Sequence, residues 1–169
     1  MNTGTYLSKV IIRITNYKYS HVVLSLDNKY TKLYSFGRKT VHNFLNAGLV
    51  TYGLGSPFFK TYKNTECIIY QLAVSNEEYA RLNRILNKFE KNANNYKYDI
   101  KGLLFRYINI SKKTRDDYYV CSMFVAYVLT KAKIYKFRKP LEFVKPLDFT
   151  KIPGIKKIYE GKFNNINTK

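Results

Sequence analysis

Apolar and polar residues recur with two different periods along this chain, and the periods mark out its elements. From Cys121 the apolar positions follow helical spacing: Cys121, Phe124, Val125, Val128, Leu129 and Ala132 form one stripe, the face a helix turns toward a core. A second stripe, Tyr79, Leu82, Ile85, Leu86 and Phe89, has Arg81, Arg84, Lys88 and Lys91 on the opposite side. It follows Ser75-Asn-Glu-Glu78, whose serine and glutamate three places apart predict a capping box. Asn92 to Asn95 ends that helix.

A period of two marks His21-Val-Val-Leu-Ser-Leu26 as a strand. Val22, Leu24 and Leu26 fall on one face, and His21, Val23 and Ser25 on the other. Asp27-Asn28-Lys29 predicts a turn, and Thr31 to Phe36 a returning strand closed by Gly37. A three-residue loop centred on Asn28 sets His21 directly opposite Ser35, and a five-residue loop sets Ser35 diagonally on the same face. An even-numbered loop brings Tyr34 or Phe36 there instead, because a one-residue slip exchanges the faces.

The remaining segments are less periodic. Thr5 to Thr15 fits a β-branched strand, while Leu7, Val10, Ile11 and Ile14 also fit one helical face. Arg38 to Thr65 reads as a long binding loop with Gly48, Gly53, Gly55 and Pro57 and the aromatics Phe44, Tyr52, Phe58, Phe59 and Tyr62. Gly53-Leu-Gly55 lacks the following residues of a phosphate cradle. Glu66 to Val74 reads as a strand with Cys67 in the core. Asp99 is placed to cap a short helix over Ile100 to Tyr107, and a basic turn from Ser111 to Arg115 precedes the Cys121 helix. Pro140 and Pro146 keep Ile134 to Phe149 extended. Ile158 to Glu160 predicts a last short strand. Together these give an α+β fold with a central antiparallel sheet packed against the two amphipathic helices. The expectation is one domain over 1–162 with a polar tail at 163–169.

Composition narrows the classes. Apolar content of 46% and aromatic content of 17% over 169 residues exclude a disordered chain. Two cysteines make neither a disulfide framework nor a cysteine-rich zinc site, and His21 and His42 lack ligand spacing with them. No metal and no other cofactor is expected. The first residues show no basic-then-apolar signal, and Val120 to Leu129 is too short to span a bilayer. A cytoplasmic protein is the expectation.

The net charge of +19 points to anionic partners: an acidic membrane surface touched peripherally, wall polymers, or nucleic acid. Basic-aromatic runs such as Phe105-Arg-Tyr107 and Tyr135-Lys-Phe-Arg-Lys139 suit base stacking. They match no nucleic-acid motif, so nucleic acid is the less favoured partner. Oligomeric state is left open.

The chemistry-bearing residues are few. A thiol at the first turn of a helix lies near unpaired amides and the positive end of the helix dipole, which favour thiolate. Cysteine is also among the most buried residue types, so a partner decides its role. His21 is the nearest candidate base and Ser35 the candidate that orients it.

Tyr-Ser-His21-Val-Val-Leu-Ser-Leu, Leu-Tyr-Ser-Phe-Gly-Arg38 and Tyr-Val-Cys121-Ser-Met-Phe-Val-Ala resemble the circularly permuted, NlpC-type papain-like cysteine hydrolases. The YiiX-like bacterial group is the nearer likeness, and lecithin:retinol acyltransferase-like enzymes are more distant. Thr3-Gly-Thr, Leu7-Ser-Lys9, Tyr96-Lys-Tyr98 with Gly102-Leu103, Pro146-Leu-Asp-Phe149 and Ile158-Tyr-Glu-Gly161 extend the likeness over nearly the whole chain. Permuted members place the histidine before the cysteine, the order found here.

The resemblance implies a permuted papain-like fold with Cys121 as nucleophile, His21 as general base and Ser35 as the third polar residue. Relatives carry His, Asn, Gln or an acid at that third position, and an acid where Thr51 stands. The backbone of Cys121 and the Tyr19 hydroxyl are candidates for an oxyanion site, with Ser122 and Arg38 as further substrate contacts. The implied reaction is hydrolysis or acyl transfer at an amide or ester, through a thioester on Cys121. The basic surface favours an anionic substrate such as a lipid headgroup or a wall peptide. Ser35 and Thr51 keep a catalytically inactive relative, or a basic binding module, as the alternative.

Overall fold

Asp27 shapes the first hairpin. In the computed structural model its Oδ1 accepts from the amides of Lys29 (2.8 Å) and Thr31 (3.2 Å), and its Oδ2 from the Thr31 hydroxyl (2.8 Å). This asparagine-type turn offers the backbone side-chain partners in place of a ladder, and Tyr30 takes a left-handed conformation with φ of 52°. Strands β1 (Leu24–Ser25) and β2 (Leu33–Arg38) are therefore joined by a longer loop than the turn residues suggest. Their register, Leu24 against Tyr34 and Ser25 against Leu33, sets His21 against Gly37 when continued. Ser35 is then the diagonal neighbour, on the same face as the histidine. The expected strand over 21–26 shrinks to two residues because His21 pairs elsewhere: it exchanges backbone hydrogen bonds with Met1.

The described residues are 1–4, 8–9, 12–13, 16–40, 46–99, 102 and 115–166. Of the 5–15 segment, Ser8, Lys9, Ile12 and Arg13 are described, and these are helical. Apart from Gly102, the expected helix over Ile100 to Tyr107 lies outside the described residues, as do most of the basic turn from Ser111, the run Phe105-Arg-Tyr107, and the residues Phe44 and His42.

β2 continues into β3 (Ala47–Tyr52), antiparallel, with Ser35 opposite Val50. A short helix α1 (Pro57–Thr61) follows, with Pro57 at its first position. The span from Arg38 to Thr65 is thus not a single long loop. Gly48-Leu-Val-Thr supplies a strand, and Pro-Phe-Phe a helix whose Phe59 is 1% exposed. β4 (Glu66–Gln71) pairs with β7 (Lys156–Lys162), with an irregularity at Ile69/Tyr70. Helix α2 (Asn76–Lys91) opens with the capping box. Glu78 N–H donates to Ser75 Oγ at 3.2 Å, and Ser75 N–H donates to Glu78 Oε2 at 2.8 Å. Leu82, Leu86 and Phe89 are its buried positions, while Tyr79 is exposed.

Strands β5 (Lys97–Tyr98) and β6 (Tyr118–Tyr119) pair in parallel, and β6 leads directly into helix α3 (Cys121–Lys131). Among the described residues the protein is a mixed α+β fold with three small sheets rather than one central antiparallel sheet. Segment 134–149 is not simply extended, since tight helical turns form at Leu141–Phe143 and Pro146–Lys151. Phe163 belongs to the fold and not to a polar tail. It is 1% exposed and lies 4.3 Å from the Phe59 ring, and Asn164 donates to the Phe59 carbonyl at 3.0 Å.

An aromatic core holds β2 against both long helices. The Phe36 ring lies 5.0 Å from Phe124 on α3 and 5.2 Å from Tyr119, and Phe89 on α2 lies 5.1 Å from Phe124. Such tilted and edge-on pairs contribute about 0.5–1.5 kcal/mol each beyond area burial. All six positions of the Cys121 stripe are buried, and so are Ser122 and Ala126. Burial on nearly every side fixes both the position and the rotation of α3, and with them the cysteine at its start. Among the described residues, no helix is long and apolar enough to cross a membrane.

Candidate functional site

The first turn of α3 is preceded by Val120, which has no side chain able to cap it. Its first amides are therefore free to serve another acceptor. The amides of Val22, Ser122 and Cys121 itself lie close enough to the Cys121 sulfur to pull its pKa down. Val22 is the residue after His21, so the start of α3 lies beside the backbone that carries the imidazole.

His21 is oriented from below by β2. Ser35, 1% exposed, places its Oγ 3.2 Å from His21 Nε2 and donates to the Val22 carbonyl at 2.7 Å. A serine hydroxyl has one proton. With that proton on the Val22 carbonyl, Oγ faces the ring as an acceptor, so Nε2 carries the imidazole proton. Nδ1 is then the basic nitrogen. Gly37 lies beside the ring: a Cβ there would meet His21 Cε1 at 3.5 Å, an ordinary contact.

Electrostatics differ from the sequence expectation. Burial pushes the Cys121 thiol up, outweighing the three amides and the Met1 amine that pull it down. The helix terminus does not yield a resting thiolate, because desolvating the charge costs more than the amides return. Burial, the Met1 amino group and the Arg38 guanidinium together pull His21 down to about 3. Both groups are thus neutral at physiological pH. The Met1 amine, donating to the His21 carbonyl at 2.6 Å, is itself pulled down to about 6 by burial, against the opposing effect of the Cys67 and Cys121 thiols.

The other candidates divide. Tyr19 is buried, and its hydroxyl proton is directed at Glu160 Oε1 at 2.7 Å, so it is not offered to a developing oxyanion. Burial and this carboxylate raise its pKa. The Ser122 hydroxyl donates to the Val144 carbonyl at 2.6 Å, so its side chain ties α3 to the following turn. Arg38 packs against two tyrosines. Its guanidinium sits over the Tyr62 ring at 5.8 Å and donates to the Tyr62 hydroxyl at 3.4 Å, while Tyr52 donates to its carbonyl.

Cys67 lies in the second core cluster with Met1, Leu33 and Phe59, and burial pushes it up to about 11. The Val22 amide, Gly37, Glu160 and Met1 are site residues that sequence reasoning did not single out. Among the described residues no three metal-ligating side chains come together.

The arrangement offers a buried thiol with amide donors around it, and a neutral imidazole of defined tautomer on the adjoining backbone. Searches against family models, curated proteins and solved structures match nothing to this chain.

Proposed function

We infer that the protein is a cysteine hydrolase or acyltransferase of permuted papain-like type, acting on an amide or ester. The observation that carries this reading is the Cys121 thiol at the start of α3 lying beside the backbone of Val22 while Ser35 holds the imidazole of the adjacent His21. In the proposed reaction the thiol proton passes to His21 Nδ1 as sulfur attacks the carbonyl carbon. The carbonyl oxygen takes the developing negative charge, and amides at the start of α3 are the candidate donors to it. The tetrahedral species collapses, the C–N or C–O bond breaks, and imidazolium returns its proton to the leaving group. Water, or a second acceptor, then cleaves the thioester and regenerates the thiol. Because both groups rest neutral, proton transfer accompanies attack rather than preceding it. An anionic substrate suits the net charge of +19.

Turnover of a panel of acyl esters and peptide amides tests the reading, with Cys121→Ala and His21→Ala as controls. Both variants are expected to lose turnover while keeping the circular dichroism of the parent. Turnover retained in Cys121→Ala would overturn it.

One observation favours a second reading, a non-catalytic interaction module on the same scaffold. A histidine pulled down to about 3 is a weaker base than one poised near neutral pH. Absence of turnover across the panel, together with binding of anionic vesicles or nucleic acid that weakens steeply with salt, would select that reading.

A further inference from the structure

Two strand edges face each other across a gap. Among the described strands β1 pairs with β2 and β4 with β7, so each keeps one edge outside its sheet. At one end of the gap Met1 and Asn2 fill it as a single extended strand. Asn2 exchanges backbone hydrogen bonds of 2.7 and 3.0 Å with Glu66 at the start of β4, and Met1 exchanges bonds of 2.6 and 3.1 Å with His21. One chain bonded to both sides fixes the width: about 4.8 Å to each neighbour, the spacing of adjacent strands.

Beyond Met1 the two edges continue, Val22 to Leu26 on one side and Cys67 to Leu72 on the other, and line a cavity of about 380 Å³. Among the described residues no further backbone hydrogen bond bridges the two edges there. Val125, Leu129 and Phe149 of the main core also line it, as do Leu33 and Phe163 of the second core cluster. Tyr79 and Ile158, 44% and 50% exposed, bring it to the surface.

An apolar cavity by itself fits many ligands. Amide and carbonyl groups on two opposed edges, set one chain apart, select for a polypeptide, since leaving such groups unmet in apolar surroundings is costly. We propose that this slot binds an extended apolar peptide segment by strand addition to β1 and β4 at once, with one end beside Met1 and His21. A strand there has both faces buried, so its sequence is a continuous run of small and β-branched apolar residues rather than an alternating one. The proposal does not rest on the chemistry at Cys121.

Fluorescence anisotropy on the full chain tests it. The ligand is a short labelled peptide of valine and alanine with glutamates at its ends, compared with the same peptide N-methylated at alternate amides. Saturable binding of the first is expected, weakened by about tenfold or more on N-methylation, the equivalent of one unmet backbone group. Ile69→Arg, which places a long charged side chain into the slot, is expected to abolish binding. The peptide comparison is made on unaltered protein and stands even where that variant fails to fold. Equal affinity for the two peptides, no saturable binding, or tighter binding of dodecanoate than of the peptide each overturns the proposal.

Discussion

Ser35 and His21 are joined by a hydrogen bond whose direction is set by a third group. The Ser35 hydroxyl donates to the Val22 carbonyl at 2.7 Å and accepts from His21 Nε2 at 3.2 Å. One buried oxygen thus positions the ring and also satisfies the backbone that meets the Cys121 sulfur. Ser35→Ala leaves the Val22 carbonyl and the Nε2 proton without this partner. It is expected to cost about 1–3 kcal/mol, the usual loss for an unmet buried polar group. Urea denaturation checks this, and an unchanged midpoint would show the bond to be dispensable.

Protonation of His21 opposes folding. Its pKa falls from the ordinary 6.5 to about 3 on folding, so the folded state binds fewer protons than the unfolded chain between those values. The stabilising contribution is therefore complete above about pH 6.5 and is lost as pH falls toward 3, at up to about 1.4 kcal/mol per pH unit. Denaturation midpoints measured across this window are expected to fall less steeply in His21→Gln. An identical slope in the two proteins would place the pH dependence elsewhere.

The two cysteines are both neutral at physiological pH, Cys121 pushed up by burial and Cys67 to about 11. Iodoacetamide is expected to modify each slowly at neutral pH in the folded protein, with the rate at Cys121 rising as pH climbs through the alkaline range. Quantitative mass spectrometry of the two cysteine peptides reads this directly. A rate at Cys121 that stays high and flat down to acid pH would reveal a resting thiolate–imidazolium pair.

Phe36 couples the hairpin carrying Ser35 to both long helices through Phe89 and Phe124, and is fully buried. Phe36→Ala is expected to cost about 3–5 kcal/mol, read as a lowered thermal midpoint. A loss below about 1 kcal/mol would mean that the core collapses around the gap.

The helices were legible in the sequence because their signals are local. The Ser75/Glu78 box and the Cys121 stripe need no distant contact, and both helices start where those residues place them. The face shared by His21 and Ser35 was one of two that the hairpin allowed, and the register of β1 on β2 decides for it. What was not legible depends on contacts far apart in the chain. Met1 and Asn2 lie against His21 and Glu66, which divides the expected central sheet. Glu160, distant in sequence from Tyr19, takes that hydroxyl away from the thiol. The sign of the Cys121 shift was misread for a similar reason: the helix terminus can be inferred from a pattern, but enclosure of the sulfur can be seen only after folding.

The most direct test of the whole account is capture of the acyl-enzyme. The protein is mixed with an activated aryl ester, quenched in acid, digested, and analysed by mass spectrometry. The account predicts an acyl adduct on the Cys121 peptide, none on Cys67, and loss of the adduct in His21→Ala. Acylation absent from Cys121, or present there equally without His21, would contradict it.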